Sequence, residues 1–213
     1  MKVSVSILSL KEKINENIKM LNNTNVDFFH LDIMDDVFVN NKTWAYNEIK
    51  PLVKDVTKPF DVHLMVCDLK SYIDSFKKLN PKYITFHYEA VEDVSYFIKY
   101  IKDLDIKVGL SIKPDTDISV LYPYMKDLDL ILVMSVNPGH GGQDFIEGTT
   151  KKIDELIKKR KENNYDYLIS VDGGINDKTV HKVKKADIVV SGSYVVSSEN
   201  YANAIDFLKL KNY

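Results

Sequence analysis

The chain has 213 residues, 45% hydrophobic and 28% charged, with 29 Lys and Arg against 31 Asp and Glu for a formal net charge of −2. That balance suits one globular domain over residues 1–213 and lacks the basic stripe of a nucleic-acid binder, so nucleic acid is excluded as a partner. The single Cys67 rules out an intramolecular disulfide, and residues 1–10 are too short and polar for a signal peptide or membrane span; a cytoplasmic protein without a membrane partner is expected.

From the N-terminus, the β-rich run Val3–Ile7 precedes Lys11–Asn22, where Ile14, Ile18 and Leu21 recur at helical spacing. Runs Phe28–Asp32 and Phe60–Met65 follow, the second leading into a helical segment at Leu69–Leu79. Tyr83–His87 is followed by helical Val94–Leu104, and then come Lys107–Ile112 and Leu130–Met134. Thr149–Asn163, with Ile153, Leu156 and Ile157 on one face, separates these from Tyr167–Asp172 and Ile188–Ser191, and Tyr201–Leu210 closes the series. Eight strands, each followed by a helix, predict an α/β protein of the (β/α)8 TIM barrel type, here slightly under the usual ~250 residues. A doubly wound open sheet competes, but at this length it normally has fewer strand–helix units.

A barrel places its chemistry at the C-terminal ends of the strands. Side chains alternate along a strand, so His30 and Asp32 point inward with Phe28 and Met34, while Phe29, Leu31 and Ile33 face the helices. By the same parity His63 points inward with Asp61 and Met65, and Asp172 with Leu168 and Ser170. Buried ionisable groups are costly unless paired or bound to metal. His30, Asp32, His63 and Asp172 are therefore a candidate first shell for one divalent ion per subunit, with Zn, Fe(II), Mn and Co all compatible. Satisfied core ion pairs are the competing reading. His87, with Glu89 beyond it, is a candidate support for the site, a substrate contact, or a core histidine bonded to backbone. His140, in a glycine-rich loop, and His181, on a helix face, read as solvent-exposed.

Glycines form a second constellation: Gly139, Gly141 and Gly142 around His140, then Gly173-Gly174, then Gly192-Ser193. The last two groups follow the seventh and eighth runs, where barrels often bind phosphate, and Gly139–Gly142 suits a mobile cover over a substrate.

Seven motifs, "SVSILS", "HLDIMD", "DVHLMV", "VGLSIKPDT", "VMSVNPGHGGQDF", "VDGGIN" and "VSGS", resemble those of the ribulose-phosphate 3-epimerases, in order and at matching spacing. The resemblance implies a ribulose-phosphate-binding barrel, a small phosphorylated ketose as substrate and a homo-oligomer. It also puts the metal ligands at His30, Asp32, His63 and Asp172, with Asp32 and Asp172 as the acid–base pair. Ser6, His63, Gly139, His140, Gly141, Gly142, Asp172, Gly173, Gly174, Gly192 and Ser193 fall on its substrate and phosphate positions, and Met34, Met65 and Met134 on methionines lining the metal site. The implied reaction inverts C3 of D-ribulose 5-phosphate to D-xylulose 5-phosphate by two-base proton transfer through an enediolate, as in the pentose phosphate pathway.

The departures lie beside the second motif. Asp36 replaces a glycine, Val37 a polar residue and Asn40 a proline, and His140 stands where phenylalanine is common. Asp tolerates positive φ better than most side chains, so the fold is expected to accept Asp36. A 3-epimerase of a hexulose 6-phosphate such as D-allulose 6-phosphate would share the same acid–base residues, and a catalytically silent sugar-phosphate-binding barrel is the alternative of another class. A metal-independent decarboxylase would need a lysine beside its aspartates, and Asp61-Val62-His63-Leu64-Met65 has none.

Overall fold

The computed structural model describes residues 1–209, and Leu210, the last residue of the final expected helix, lies outside the described residues. Eight strands, β1 (Lys2–Ser6), β2 (Phe28–Met34), β3 (Phe60–Met65), β4 (Tyr83–His87), β5 (Lys107–Ile112), β6 (Leu130–Met134), β7 (Leu168–Asp172) and β8 (Ile188–Ser191), pair in parallel and in sequence order into a closed barrel. The (β/α)8 expectation holds, and the open sheet is excluded because β8 pairs with β1.

The helices are α1 (Ile14–Asn22), α2 (Tyr46–Val53), α3 (Leu69–Phe76), α4 (Val94–Lys102), α5 (Thr149–Asn163), α6 (Ser193–Val196) and α7 (Tyr201–Leu208). Two connections depart from the expectation of a helix after every strand. After β5 the chain makes 3-10 turns at Ile118–Leu121 and Met125–Asp127, and after β7 another at Val180–Val183. The β5 connection is composed against a long helix. Asp117 caps its first turn through Ser119 N–H, and Pro123 cannot continue it. Helix α2 has Pro51 inside it, which hides its periodicity in the sequence, while Glu48 secures its start by accepting from Ala45 N–H at 2.7 Å.

Two apolar layers hold the barrel. The larger lies between strands and helices and includes Phe29, Leu31 and Ile33; the smaller fills the barrel interior with Phe28, Tyr83, Leu130, Leu132, Ile188 and Val190. Each fully buried side chain of this size stabilises the fold by ~1.5–3 kcal/mol. That burial sets the register of β2, because a slip of one residue would put Phe29, Leu31 and Ile33 inside and turn His30 and Asp32 toward the helices.

Candidate active site and metal centre

Depth along the barrel orders the inward side chains. On β2 they run Phe28, His30, Asp32, Met34 from floor to mouth. Register then sets His30 beside Asp61, Asp32 beside His63, and Met34 beside Met65, while Met134 lies beside Asp172 across β6 and β7. The four expected ligands are brought together: one donor atom from each of His30, Asp32, His63 and Asp172 lies within 4.8 Å of the others.

His30 Nε2 lies 3.3 Å from Asp32 Oδ1 and 3.6 Å from Asp172 Oδ2, and His63 Nδ1 lies 3.3 and 3.6 Å from the same two atoms. These separations are long for charge-assisted hydrogen bonds. The 3.3 Å pairs fall within, and the 3.6 Å pairs slightly beyond, the roughly 3.0–3.4 Å edges of a coordination shell built on ~2.1 Å bonds. His30 Nε2, fully buried, has no hydrogen-bond partner among the described residues although two carboxylates face it. A buried nitrogen aimed at the centre of an imidazole–carboxylate set fits a cation better than closed ion pairs do, so these residues can hold a metal ion.

Burial alone would lower the His30 pKa, but the charges of Asp32 and Asp61 and the nearby Asp172 carboxylate outweigh it, raising His30 well above the ordinary imidazole value. His63 is raised by the same balance, through Asp172 and Asp32. Burial would raise Asp32 and Asp172, yet His30 and His63 hold both below the ordinary carboxylate value.

The surrounding groups fix both rings. His30 Nδ1 meets Asp61 Oδ2 at 2.9 Å, and Asp61 also accepts from Ser4 Oγ at 3.0 Å. Parity put Asp61 inward, but nothing in the sequence marked it as the residue behind His30. His63 Nε2 meets His87 Nε2 at 2.9 Å, and His87 Nδ1 faces Glu89 Oε2 at 3.3 Å. Burial, opposed only in part by Glu89, lowers His87 to about 4, so the ring is neutral at physiological pH. Glu89 is lowered to about 2: burial opposes this, and bonds from His87, Thr116 and the Lys113 N–H outweigh it.

Above the cluster opens a cleft lined by Asp32, Asp172, Ser6, the three methionines Met34, Met65 and Met134, and the loops bearing Gly139, His140, Gly141, Gly142, Gly173, Gly174, Gly192 and Ser193. Every residue expected to meet a substrate lines it except His63, which is fully buried beneath with His30. Ser6 Oγ donates to Asp32 Oδ2 at 2.6 Å and so aims the carboxylate. Gly173 and Gly174 both have positive φ, and a Cβ on Gly174 would stand 2.7 Å from Phe145 N. Asn41, which had no expected role, donates from Nδ2 to the Gly139 carbonyl at 2.7 Å and ties the β2 loop to the Gly139–Gly142 cover.

Asp36 adopts φ 63°, the left-handed conformation its glycine-like position implied, and its side chain is not part of the cleft wall. The neighbouring Asp35 supports the turn, accepting from Val37, Phe38 and Cys67 N–H groups. His140 and His181 are both exposed, as expected.

A profile described as the ribulose-phosphate 3 epimerase family matches residues 2–196. The chain belongs to the ribulose-phosphate 3-epimerase family. Among its relatives, the ribulose-phosphate 3-epimerase of Methanocaldococcus jannaschii is 36% identical over 98% of this chain and 89% of its own length. That of Escherichia coli K12 is 35% identical over 86% of this chain and 83% of its own. That of Treponema pallidum is 40% identical over 77% of this chain and 76% of its own. Membership makes the protein an isomerase of the epimerase type, in a family of carbohydrate metabolism. Solved structures support the fold independently. A 3-hexulose-6-phosphate synthase superposes with TM-score 0.68 at 16% identity, covering 99% of both chains. KGPDC from Streptococcus mutans gives 0.70 at 13%, covering 98% of this chain and 95% of that one. No helix among the described residues is long and apolar enough to cross a membrane.

Proposed function

We propose that this protein is a divalent-metal-dependent 3-epimerase interconverting D-ribulose 5-phosphate and D-xylulose 5-phosphate. The observation that carries the reading is the convergence of two carboxylates, Asp32 from β2 and Asp172 from β7, on one glycine-rimmed cleft above a cation-compatible donor set. His30, Asp32, His63 and Asp172 would hold the ion, and their donor chemistry suits zinc, iron(II), manganese or cobalt. Once bound, such an ion supplies Lewis-acid polarisation of a ketone and stabilises developing negative charge.

The chain's own residues move the proton. Asp32, aimed by Ser6, accepts the C3 proton of ribulose 5-phosphate, and Asp172 donates one to the opposite face of the enediolate. In the reverse direction the two exchange roles. Met34, Met65 and Met134 give the intermediate an apolar, polarizable wall. Backbone N–H groups at Gly173, Gly174, Gly192 and Ser193 take the phosphate, supported by their place after β7 and β8 and by the short α6 that starts at Ser193. Gly139–Gly142 and His140 cover the bound sugar.

The test is isotope exchange at C3 of ribulose 5-phosphate in deuterated water, with metal-loaded and chelated protein. Metal-dependent exchange is expected, and its absence overturns the reading. Faster turnover of allulose 6-phosphate than of ribulose 5-phosphate would move the substrate to the hexulose.

A further inference from the structure

Two buried imidazole nitrogens cannot meet at 2.9 Å unless one carries a proton and the other a lone pair. His63 Nε2 and His87 Nε2 meet in that way, with ring centroids 5.0 Å and ring planes 26° apart. Which nitrogen donates is decided further along the chain. Glu89 Oε1 accepts from Lys113 N–H at 2.8 Å and from the Thr116 hydroxyl, and its Oε2 faces His87 Nδ1 at 3.3 Å. A carboxylate only accepts, so His87 Nδ1 must carry the proton. A neutral His87 then has its lone pair on Nε2 and accepts from His63 Nε2–H. His63 Nε2 keeps its proton in this arrangement, so a cation would take the lone pair of Nδ1, the atom facing Asp32 and Asp172, in place of any proton there.

We propose that His87 and Glu89 form a positioning relay that fixes the tautomer and ring orientation of His63 for cation binding. The relay rests on the reading of the four-residue cluster as a cation site and extends it to two residues that never touch the ion or the sugar. It is built in from outside the barrel. Lys152 of α5 donates to the carbonyls of Lys113, Pro114 and Thr116, at 3.1, 2.7 and 2.6 Å, and so anchors the β5 loop that holds Glu89. Phe38 of the β2 loop packs on His87 with ring centroids 5.0 Å apart. His30 is backed differently, by the carboxylate of Asp61, so the two imidazoles are tuned unequally: one by an anion, the other by a neutral ring.

The test has two arms. Long-range 1H–15N correlation spectra of uniformly labelled wild-type protein, with and without zinc, read the tautomers directly. His87 is expected protonated on Nδ1 and bare on Nε2, with His63 protonated on Nε2; a proton on His87 Nε2 overturns the relay. In the second arm, cobalt(II) titration follows the visible absorption of the bound ion. His87→Phe removes the acceptor and is expected to weaken cobalt(II) binding ~10–100-fold, the usual loss when a ligand's supporting partner goes. His87→Gln keeps an acceptor and is expected to retain most of the affinity. Equal affinity of His87→Phe and wild type, or equal losses in both variants, overturns the relay. Wild-type protein that takes up no cobalt(II) overturns the cation site itself, and the tautomer spectra still decide the direction of the bond.

Discussion

Asp172→Asn, compared at matched bound metal, tests proton transfer at one face of the substrate. The amide occupies the same space, and the lost oxygen contacts, 3.6 Å to both His30 and His63, are too long to count as full hydrogen bonds. The cost to the fold is therefore about 1 kcal/mol, a fall in Tm of ~2–4 °C for a chain of this size. The cost to chemistry is larger. An amide neither accepts nor returns a proton at C3, and losing a positioned acid or base removes ~10²–10⁴ in rate, or about 2.7–5.4 kcal/mol of barrier. Because Asp172 also belongs to the donor set, kcat must be compared at equal bound cobalt(II). A pentitol 5-phosphate, which has no ketone to react, measures binding separately, and its Kd is expected to stay within a few-fold of wild type because the phosphate loops are untouched. If Asp172→Asn at matched metal content turns over within ten-fold of wild type, the two-base assignment is wrong.

Gly174→Ala puts a Cβ at φ 63°, 2.7 Å from Phe145 N and 3.0 Å from Gln143 O, against backbone that cannot yield cheaply. A stability loss of ~2 kcal/mol or more in urea unfolding is expected, with KM for the phosphorylated ketose rising more than kcat falls; an unchanged KM would take Gly174 out of the phosphate site. Asp36→Gly relieves a non-glycine residue at positive φ and gives some of that back as unfolded-chain entropy, for a net gain below about 1 kcal/mol. Its kcat/KM should stay within two-fold, and a several-fold rise would mean the Asp36 charge reaches the substrate. Glu89 has a lowered folded pKa of about 2 against an ordinary 4.5, so its stabilisation is full above pH 4.5 and is lost as pH falls toward 2. The shift caps this at about 3 kcal/mol, and solvent at the partly open rim of the group reduces it to roughly 1–2. Glu89→Gln is expected to be less stable than wild type by that margin at pH 7, with the gap in urea midpoints shrinking as pH falls below 4.5 and closing only below about pH 2; a constant gap would refute the linkage.

Strand periodicity carried most of the fold because the barrel interior imposes a strict alternation on β2, β3 and β7. The ionisable residues could be assigned to the mouth from parity alone. What stayed hidden depended on three-dimensional approach. The Pro51 helix breaks its own periodicity, and the β5 connection coils into 3-10 turns that leave no 3.6-residue pattern. Asp61 looked like one more inward polar residue until register placed it against His30. Asn41 and Lys152 act through side chains that reach across nearly a hundred and nearly forty residues respectively, and no local pattern marks such partners.

The inward residues of β2 explain why the site survives inside a core. Phe28 belongs to the apolar plug of the barrel, His30 and Asp32 to the ionisable layer above it, and Met34 to the thioether layer at the mouth. Each layer shields the next: the plug denies the carboxylates water from below, and the methionines limit it from above. Desolvation would normally neutralise such charges. Here two imidazoles, held by Asp61 on one side and by His87 and Glu89 on the other, keep Asp32 and Asp172 ionised and aimed upward. Two ionised carboxylates, open only to the cleft, are the state a two-base proton transfer starts from, and the fold pays for them through the apolar residues that fix the register of β2.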